Sequence, residues 1–208
     1  MEFVITPKIK NQIERCIVIL KKGGVIAFPT ETVYGLGACI SIPEAVECVY
    51  RIKGRTRAKA LPLLLSDISQ VSQVSLAFPE IARVLGNRFW PGPLTLVVYK
   101  SDKVPDAVTS GGKTIAIRVS SHPVAMALVE GLGFPITGTS ANISGKPSPV
   151  TAEEVFSQLD NRVDLIIEGG KCPGGVESTI IDVTQKVPVI IRDGAISREV
   201  IESVCHVA

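Results

Sequence analysis

Positively charged side chains are concentrated in residues 53–59, which read KGRTRAK and hold four cations in seven positions. Grouped Lys and Arg side chains offer an anion such as phosphate several charge-assisted hydrogen bonds. The segment stands between a predicted helix and an apolar strand, so it predicts a local anion site. The alternative is a solvated basic loop, because runs of charge often lie on a surface without a ligand.

Two further segments place hydroxyl, carboxylate and amide groups where apolar strands end. Residues 29–37 read PTETVYGLG and residues 137–145 read TGTSANISG. Such groups suit phosphate, ribose or an amino-acid carboxylate, and glycines let a backbone approach a ligand. The alternatives are a glycine-rich turn and a Ser/Thr turn. Neither standard nucleotide cradle is present, because residues 107 and 40 lack the glycines that a P-loop and a dinucleotide fingerprint require.

Arg118 stands inside the apolar strand predicted at residues 115–119. An unpaired buried guanidinium is costly, so Arg118 needs either a partner or an anionic ligand. Residues 177–179 and 192–194 also mark strand ends. His122 is interpreted as a helix start rather than a general base, and no Ser/His/Asp or Cys/His pair has a spacing that indicates nucleophilic catalysis.

These polar residues must be positioned by an alternation of apolar strands and amphipathic helices. Period and capping signals predict helices that start near Thr6-Pro7 and Pro43, others over 79–89, 121–130 and 151–159, and a last one from Ser197. Strands are predicted at 25–28, 61–65, 94–99, 115–119, 135–139, near 165, at 179–183 and at 189–192. This alternation predicts an α/β fold, in which ligands bind at strand ends.

Composition limits the possible classes of protein. The 208 residues, 46% of them hydrophobic, predict one domain over 1–208, and 22 basic against 20 acidic side chains argue against a protein that mainly grips nucleic acid. Five cysteines without a C-x-x-C pair favour neither a disulfide framework nor a zinc site, so a cytoplasmic location is expected. The residues around Glu2 do not resemble a leader, and no apolar run predicts a membrane span.

Seven motifs along the chain, taken in order, resemble the YrdC-like family of threonylcarbamoyl-AMP synthases. They are PTETVYGLG (29–37), KGR (53–55), WPGPLTLV (90–97), TIAIR (114–118), TSANISGKPSP (139–149), ESTIID (177–182) and IRDGAIS (191–197). The resemblance covers nearly the whole chain. It implies a single-domain α/β fold with a twisted, open, mixed sheet flanked by helices and with a positively charged concave face.

The resemblance also implies roles for individual residues. The family pairs a K-x-R segment with an S-x-N segment, and the matching catalytic positions are Lys53, Arg55, Ser140 and Asn142. Positions that match ATP contacts are Arg55, Lys59, Thr114, Ser140, Ser148 and Arg192, and those that match threonine contacts are Thr32, Arg118 and Ser178. The sequence departs from the family at Leu64, where some members have a threonine-binding histidine, and at Gly138, where a hydroxyl residue or alanine is frequent.

The implied reaction joins L-threonine to bicarbonate as a carbamate, which attacks the α-phosphate of ATP and releases pyrophosphate. Mg²⁺ is expected to arrive with ATP, because the sequence offers no dedicated acidic cage. The implied downstream partner is the tRNA threonylcarbamoyl transferase machinery, with weak tRNA binding as a further possibility. Two alternatives stay open: a YciO-type paralogue, against which the Lys53/Arg55 and Ser140/Asn142 pairs argue, and an RNA-binding or ribosome-associated module.

Overall fold

A computed structural model describes residues 3–208, so the expectation drawn from Glu2 lies outside the described residues. The helices are α1 (Pro7–Lys21), α2 (Pro43–Lys53), α3 (Val71–Val74), α4 (Glu80–Phe89), α5 (Asp106–Thr109), α6 (Pro123–Leu132), α7 (Ala152–Leu159) and α8 (Arg198–Glu202). The strands are β1 (Val25–Phe28), β2 (Gly35–Ala38), β3 (Leu63–Leu65), β4 (Leu94–Tyr99), β5 (Thr114–Val119), β6 (Ile136–Thr137), β7 (Thr139–Ser140), β8 (Leu165–Ile166), β9 (Thr179–Asp182) and β10 (Val189–Arg192).

The strands form two mixed sheets, one of six strands in the order β10-β9-β4-β5-β3-β6 and one of four in the order β7-β2-β1-β8. In the larger sheet β4 pairs parallel with β9 and antiparallel with β5. An antiparallel bridge between Cys39, which follows β2, and Ile136 of the edge strand β6 connects the two sheets. The predicted α/β fold with a mixed sheet and flanking helices is therefore confirmed, with the strands divided between two hydrogen-bonded sheets.

Helix capping follows the sequence signals closely. The Thr6 side chain accepts a hydrogen bond from the Ile9 amide at 3.3 Å, and Pro7 occupies the first turn of α1. At α7, Thr151 Oγ1 accepts from the Glu154 amide, and Glu154 Oε2 reaches back to accept from the amide of Val150, one residue before the cap. These local interactions set the starts of both helices where they were predicted.

Two strand predictions differ from the structure. Residues 35–38 were expected to be a glycine-rich loop but form β2, where a Cβ on Gly37 would lie 2.7 Å from the Phe28 ring. The glycines there make room for the Phe28 side chain. In the sequence, such glycines look the same as the glycines of a turn. The strand predicted at 135–139 is interrupted at Gly138, so β6 joins the larger sheet and β7 the smaller one.

The helices cover the outer faces of the sheets and bury two apolar clusters. Helix α1 contributes Ile9, Ile13, Cys16 and Leu20 to the cluster that it shares with α6. Across residues 3–208, none of the helices combines the length and apolar character that a membrane crossing requires. One face of the six-stranded sheet is left uncovered by helices, and the polar residues of the next section lie around it.

Candidate functional site

A cavity of about 780 Å³ lies between the uncovered face of the larger sheet and the loops that follow α2 and β7. Its floor includes Val97, Ala116 and Ile180 from three neighbouring strands, β4, β5 and β9. All the residues predicted for the site line this one cavity: Thr32, Lys53, Arg55, Lys59, Thr114, Arg118, Ser140, Asn142, Ser148, Ser178 and Arg192. The structure therefore brings together segments that are as far apart in the chain as residues 32 and 192.

Lys53 ends α2 and points into the β7 loop with only 1% of its surface exposed. Its Nζ donates to Asn142 O and Asn142 Oδ1, both at 2.9 Å, and to Ser140 O. The three protons of the ammonium group thus have three oxygen acceptors within the protein. The Lys53 side chain therefore holds the loop that carries Ser140 and Asn142.

Burial, and after it the nearby Arg55 charge, lower the pKa of Lys53 to about 7. The charged form loses its hydration in the protein interior, whereas the three oxygen acceptors favour it. Ser140 Oγ donates to the same Asn142 Oδ1 at 2.6 Å, and Asn142 Nδ2 donates to Lys146 O at 2.5 Å. The Lys53, Ser140 and Asn142 side chains therefore form one connected network at the cavity wall.

Arg55 lies just after α2 and folds back over its own loop. Its Nε donates to Lys59 O at 3.1 Å and one Nη donates to Ala60 O at 2.8 Å. Gly54 has a φ of 56°, in the left-handed region, and ends the helix so that Arg55 turns toward the cavity. Two internal acceptors fix the guanidinium while leaving other N–H groups free to face an anion.

Arg118 is almost completely buried, and its partner is Glu31. Arg118 Nη2 lies 2.6 Å from Glu31 Oε1, and both Nη atoms donate to Thr32 Oγ1 at 3.1 Å. Burial alone would raise the pKa of Glu31, but the Arg118 charge and a hydrogen bond from Ser120 outweigh it, so that pKa lies below its usual range. The expectation that Arg118 has a partner is confirmed, and the partner is a carboxylate that the sequence analysis did not name.

Ser178 and Arg192 are linked where β9 and β10 meet. Arg192 donates to Ser178 O from Nε at 3.0 Å and from Nη2 at 2.8 Å, and Nη2 also donates to Ser178 Oγ at 3.0 Å. Ser178 Oγ is 2.7 Å from Thr95 Oγ1 on the neighbouring strand. The guanidinium of Arg192 is thereby anchored along one edge beside the cavity.

Glu177 is a cavity residue that sequence reasoning did not assign to the site. Its carboxylate accepts from Ser148 Oγ and from Arg192 Nη1, each at 2.5 Å. With Asp182 it contributes negative charge to a cavity that is also lined by Lys and Arg side chains. The available signal was its position at a strand end, directly before Ser178.

The two departures from the family motifs lie against each other. A Cβ built on Gly138 would be 2.5 Å from Leu64 Cγ, and both residues line the cavity. Leu64 pairs with Arg118 in the parallel register of β3 and β5. Leu64 in its present orientation therefore leaves no room for a Cβ at position 138.

His122 acts as a helix cap, as predicted. Its Nδ1 accepts from the Val124 amide at 3.2 Å, which requires an unprotonated nitrogen. Burial lowers the pKa of His122 to about 4, so the imidazole is neutral near pH 7. The residue is thus used structurally at the start of α6.

The mixed-sheet α/β fold and its cation-lined cavity define a class of small-molecule binding domain, and comparison with known proteins identifies the family. The family model Sua5_yciO_yrdC, described as telomere recombination, matches residues 18–194. The chain belongs to this Sua5/YciO/YrdC family.

Several relatives are similar over most of this chain. Threonylcarbamoyl-AMP synthase of Bacillus subtilis is 45% identical over 93% of the chain, and that of Pyrococcus abyssi is 44% identical over 89%. The chain spans about half the length of these two relatives, 56% and 54% respectively. An uncharacterized protein of Escherichia coli, YciO, is 35% identical over 88% of both chains.

Solved structures agree with the fold. The crystal structure of Pyrococcus abyssi Sua5 complexed with L-threonine has a TM-score of 0.91 at 42% identity, covering 93% of this chain and 57% of that one. The crystal structure of Escherichia coli YciO has a TM-score of 0.81 at 35% identity, covering 91% of each chain.

Proposed function

We propose that this chain is a threonylcarbamoyl-AMP synthase, which makes L-threonylcarbamoyladenylate and pyrophosphate from L-threonine, bicarbonate and ATP. The observation that carries the proposal is that every residue matched to an ATP or threonine contact lines a single cavity. The relatives named threonylcarbamoyl-AMP synthase, and the relative solved with L-threonine, support the substrate class. The product would serve the tRNA threonylcarbamoyl transferase machinery.

The chemistry proceeds in two steps that balance without a covalent enzyme intermediate. The unprotonated amine of threonine attacks bicarbonate, and loss of water leaves a carbamate. A carbamate oxygen then bonds to the α-phosphorus of ATP while the bond to the β-phosphate oxygen breaks and pyrophosphate leaves. Such phosphoryl chemistry needs positioning and charge neutralisation more than a nucleophilic side chain.

The cavity supplies these requirements from two sides. Arg55, Lys59 and Arg192 would offset phosphate charge, and Ser140, Ser148 and Thr114 would orient the nucleotide. On the other side Thr32, Arg118 and Ser178 would hold threonine. The Arg118 guanidinium would bind the amino-acid carboxylate through the Nη1 N–H that is left after its contacts with Gly92, Glu31 and Thr32.

Mg²⁺ would be bound mainly by the phosphates of ATP. Within residues 3–208, no group of three or more His, Cys, Asp or Glu side chains is arranged to hold a metal ion. The two cavity carboxylates are already used, Glu177 by Ser148 and Arg192, and Asp182 by Thr184. An ion that keeps phosphate and water ligands fits this wall better than one that needs a protein cage.

The decisive experiment measures pyrophosphate release by the purified chain. We expect release only when ATP, L-threonine and bicarbonate are all present. Serine lacks one methyl group, which is worth roughly 1–3 kcal/mol in an apolar pocket, so its rate should be about 10- to 200-fold lower. Turnover that does not depend on the amino acid, or equal rates with serine, would contradict the threonine assignment.

The same assay separates the alternatives. A YciO-type paralogue remains a candidate because that relative matches 88% of the chain, and such a protein would release no pyrophosphate with threonine. An RNA-binding module would release none and would instead bind tRNA with a steep salt dependence. Three further expectations stay predictions. They are weak tRNA binding, nucleotidyltransferase activity in the cytoplasm, and a single domain that extends over 1–208.

A further inference from the structure

Glu177 bridges two residues that are proposed to contact ATP. One carboxylate oxygen accepts from Ser148 Oγ and the other from Arg192 Nη1, each at 2.5 Å. Around them, Lys53, Arg55 and other basic side chains line the same cavity. The carboxylate therefore occupies donors that an incoming phosphate would need.

The contacts of Arg192 allow Glu177 to leave without loss of the guanidinium's position. Nε and Nη2 both donate to Ser178 O, at 3.0 and 2.8 Å, so this anchor does not use the nitrogen that contacts Glu177. Nη1 is the nitrogen that Glu177 binds. When the carboxylate moves, the anchored edge holds Arg192 in place and Nη1 remains directed at the cavity.

The ion pair is also accessible enough to exchange. The side chains of Arg192 and Glu177 are 38% and 34% exposed. Pairs with this much contact with water contribute little net stability, because each charge is well solvated when apart. A polyphosphate carries several charges and can therefore displace a single carboxylate from the same donors.

We infer that Glu177 is an exchangeable placeholder anion, which binds Ser148 and Arg192 in the ligand-free site and releases both to a phosphate group of the incoming polyphosphate. This inference deepens the proposed function, on which it rests for the identity of that polyphosphate as ATP. Glu177 would lower the affinity of the site for phosphates. Its return to Arg192 would also assist the departure of pyrophosphate.

The test is calorimetric titration of inorganic pyrophosphate into the wild type, Glu177→Gln and Asp182→Asn. Asp182 is the matched control, because its carboxylate also lines the cavity but accepts hydrogen bonds from Thr184. Glu177→Gln should bind pyrophosphate about five- to tenfold more tightly, since it removes both the competing pair and a like charge. Asp182→Asn should gain at most about twofold, because only distant repulsion is relieved.

Each outcome decides the inference. Unchanged or weaker binding by Glu177→Gln would overturn it, because Glu177 would then be a fixed anchor that the bound state needs. An equal gain in Asp182→Asn would also overturn it, since net cavity charge would explain both. If thermal melting shows that Glu177→Gln is unfolded, Glu177→Ala is titrated in its place with the same expected gain.

The inference and the proposed function fail separately. Pyrophosphate binding requires neither threonine nor turnover. Suppose that Glu177→Gln binds pyrophosphate more tightly but the wild type makes no threonylcarbamoyl-AMP. The placeholder role of Glu177 would then be supported, and the proposed synthase activity would be rejected. Normal synthesis with no change in pyrophosphate affinity would reject the placeholder alone.

Discussion

Lys53 Nζ and Ser140 Oγ converge on the same acceptor, Asn142 Oδ1, at 2.9 and 2.6 Å. The lysine is buried, and its other protons go to the Ser140 and Asn142 carbonyl groups. Lys53 is therefore a positioning residue for the β7 loop, and its substitution affects the site through Ser140 and Asn142.

Lys53→Met keeps the length of the side chain but removes all three donated hydrogen bonds. Asn142 Oδ1 keeps its bond from Ser140 Oγ, but the Ser140 and Asn142 carbonyl oxygens lose the Lys53 donor. An unpaired buried acceptor costs about 1–3 kcal/mol, so this variant should unfold at a lower denaturant concentration and lose most of its activity. Because the pKa of Lys53 is about 7 in the folded state and 10.5 as its ordinary value, the unfolded state binds more protons between these values. Wild-type stability relative to Lys53→Met should therefore rise with pH above 7, by at most about 1.4 kcal/mol per unit.

Urea unfolding of both proteins between pH 7 and pH 9.5 measures this difference directly. Other titrating groups are shared by the two proteins and cancel. A difference that stays constant between pH 7 and pH 9.5 would show that the three oxygen acceptors keep Lys53 charged against its burial.

Arg55→Ala should abolish turnover and leave the fold intact, because Arg55 donates only within its own loop. Losing a charge-assisted phosphate contact should cost roughly 2–4 kcal/mol of transition-state stabilisation. Arg57→Ala is the matched control, since Arg57 pairs with Glu47 and its side chain is 64% exposed. Steady-state rates and melting curves of both variants check this. Wild-type activity in Arg55→Ala would mean that residues 53–59 are only a solvated basic loop.

Arg118→Lys retains the charge but loses the planar fork that contacts Thr32 and Glu31. It should raise the apparent KM for threonine at least tenfold and that for ATP far less, whereas Ser140→Ala should do the reverse. Separate titrations of each ligand into each variant check the two-sided site. If both substitutions weakened ATP binding alone, Arg118 would belong to the nucleotide side.

Gly138→Ala should destabilise the protein by about 1–3 kcal/mol, because the added Cβ would lie 2.5 Å from Leu64 Cγ. Leu64→Ala removes that atom, so the double variant should be more stable than the sum of the two single effects predicts. Thermal and urea unfolding of the wild type, the two single variants and the double variant give the free energies of a double-mutant cycle. Strict additivity would mean that Leu64 rotates away from Gly138 at no cost.

The sequence predicted elements whose signals are local and missed those that depend on distant partners. The capping box at Thr151 and the Thr6-Pro7 start were readable because their hydrogen bonds form within one turn. Strand β2 was not predicted, because glycines usually indicate a turn. Here they are needed because a side chain at these positions would collide with the Phe28 ring. Short helices such as α5 carry too few residues to show a period.

For the site, residue types indicated which side chains lie in the cavity but not which ones pair within the protein. Arg118 was expected to need a partner, yet nothing in its own strand identifies Glu31, which lies 87 positions earlier in the sequence. Lys53 is buried, but the sequence does not distinguish it from the other cations of the basic run 53–59. Burial and pairing are properties of the folded chain, and sequence periodicity specifies them only approximately.

The pairing of distant strands also determines at what stage of translation the cavity can form. Strand β1 pairs with β8, β4 pairs with β9, and Arg192 arrives only with β10. Contacts over such separations slow folding, because the entropy of closing long loops is lost before the strand pairs can stabilise the chain. A nascent chain therefore carries the basic residues 53–59 long before their counterparts emerge from the ribosome. The complete cavity therefore forms late, when nearly the whole family domain has been made.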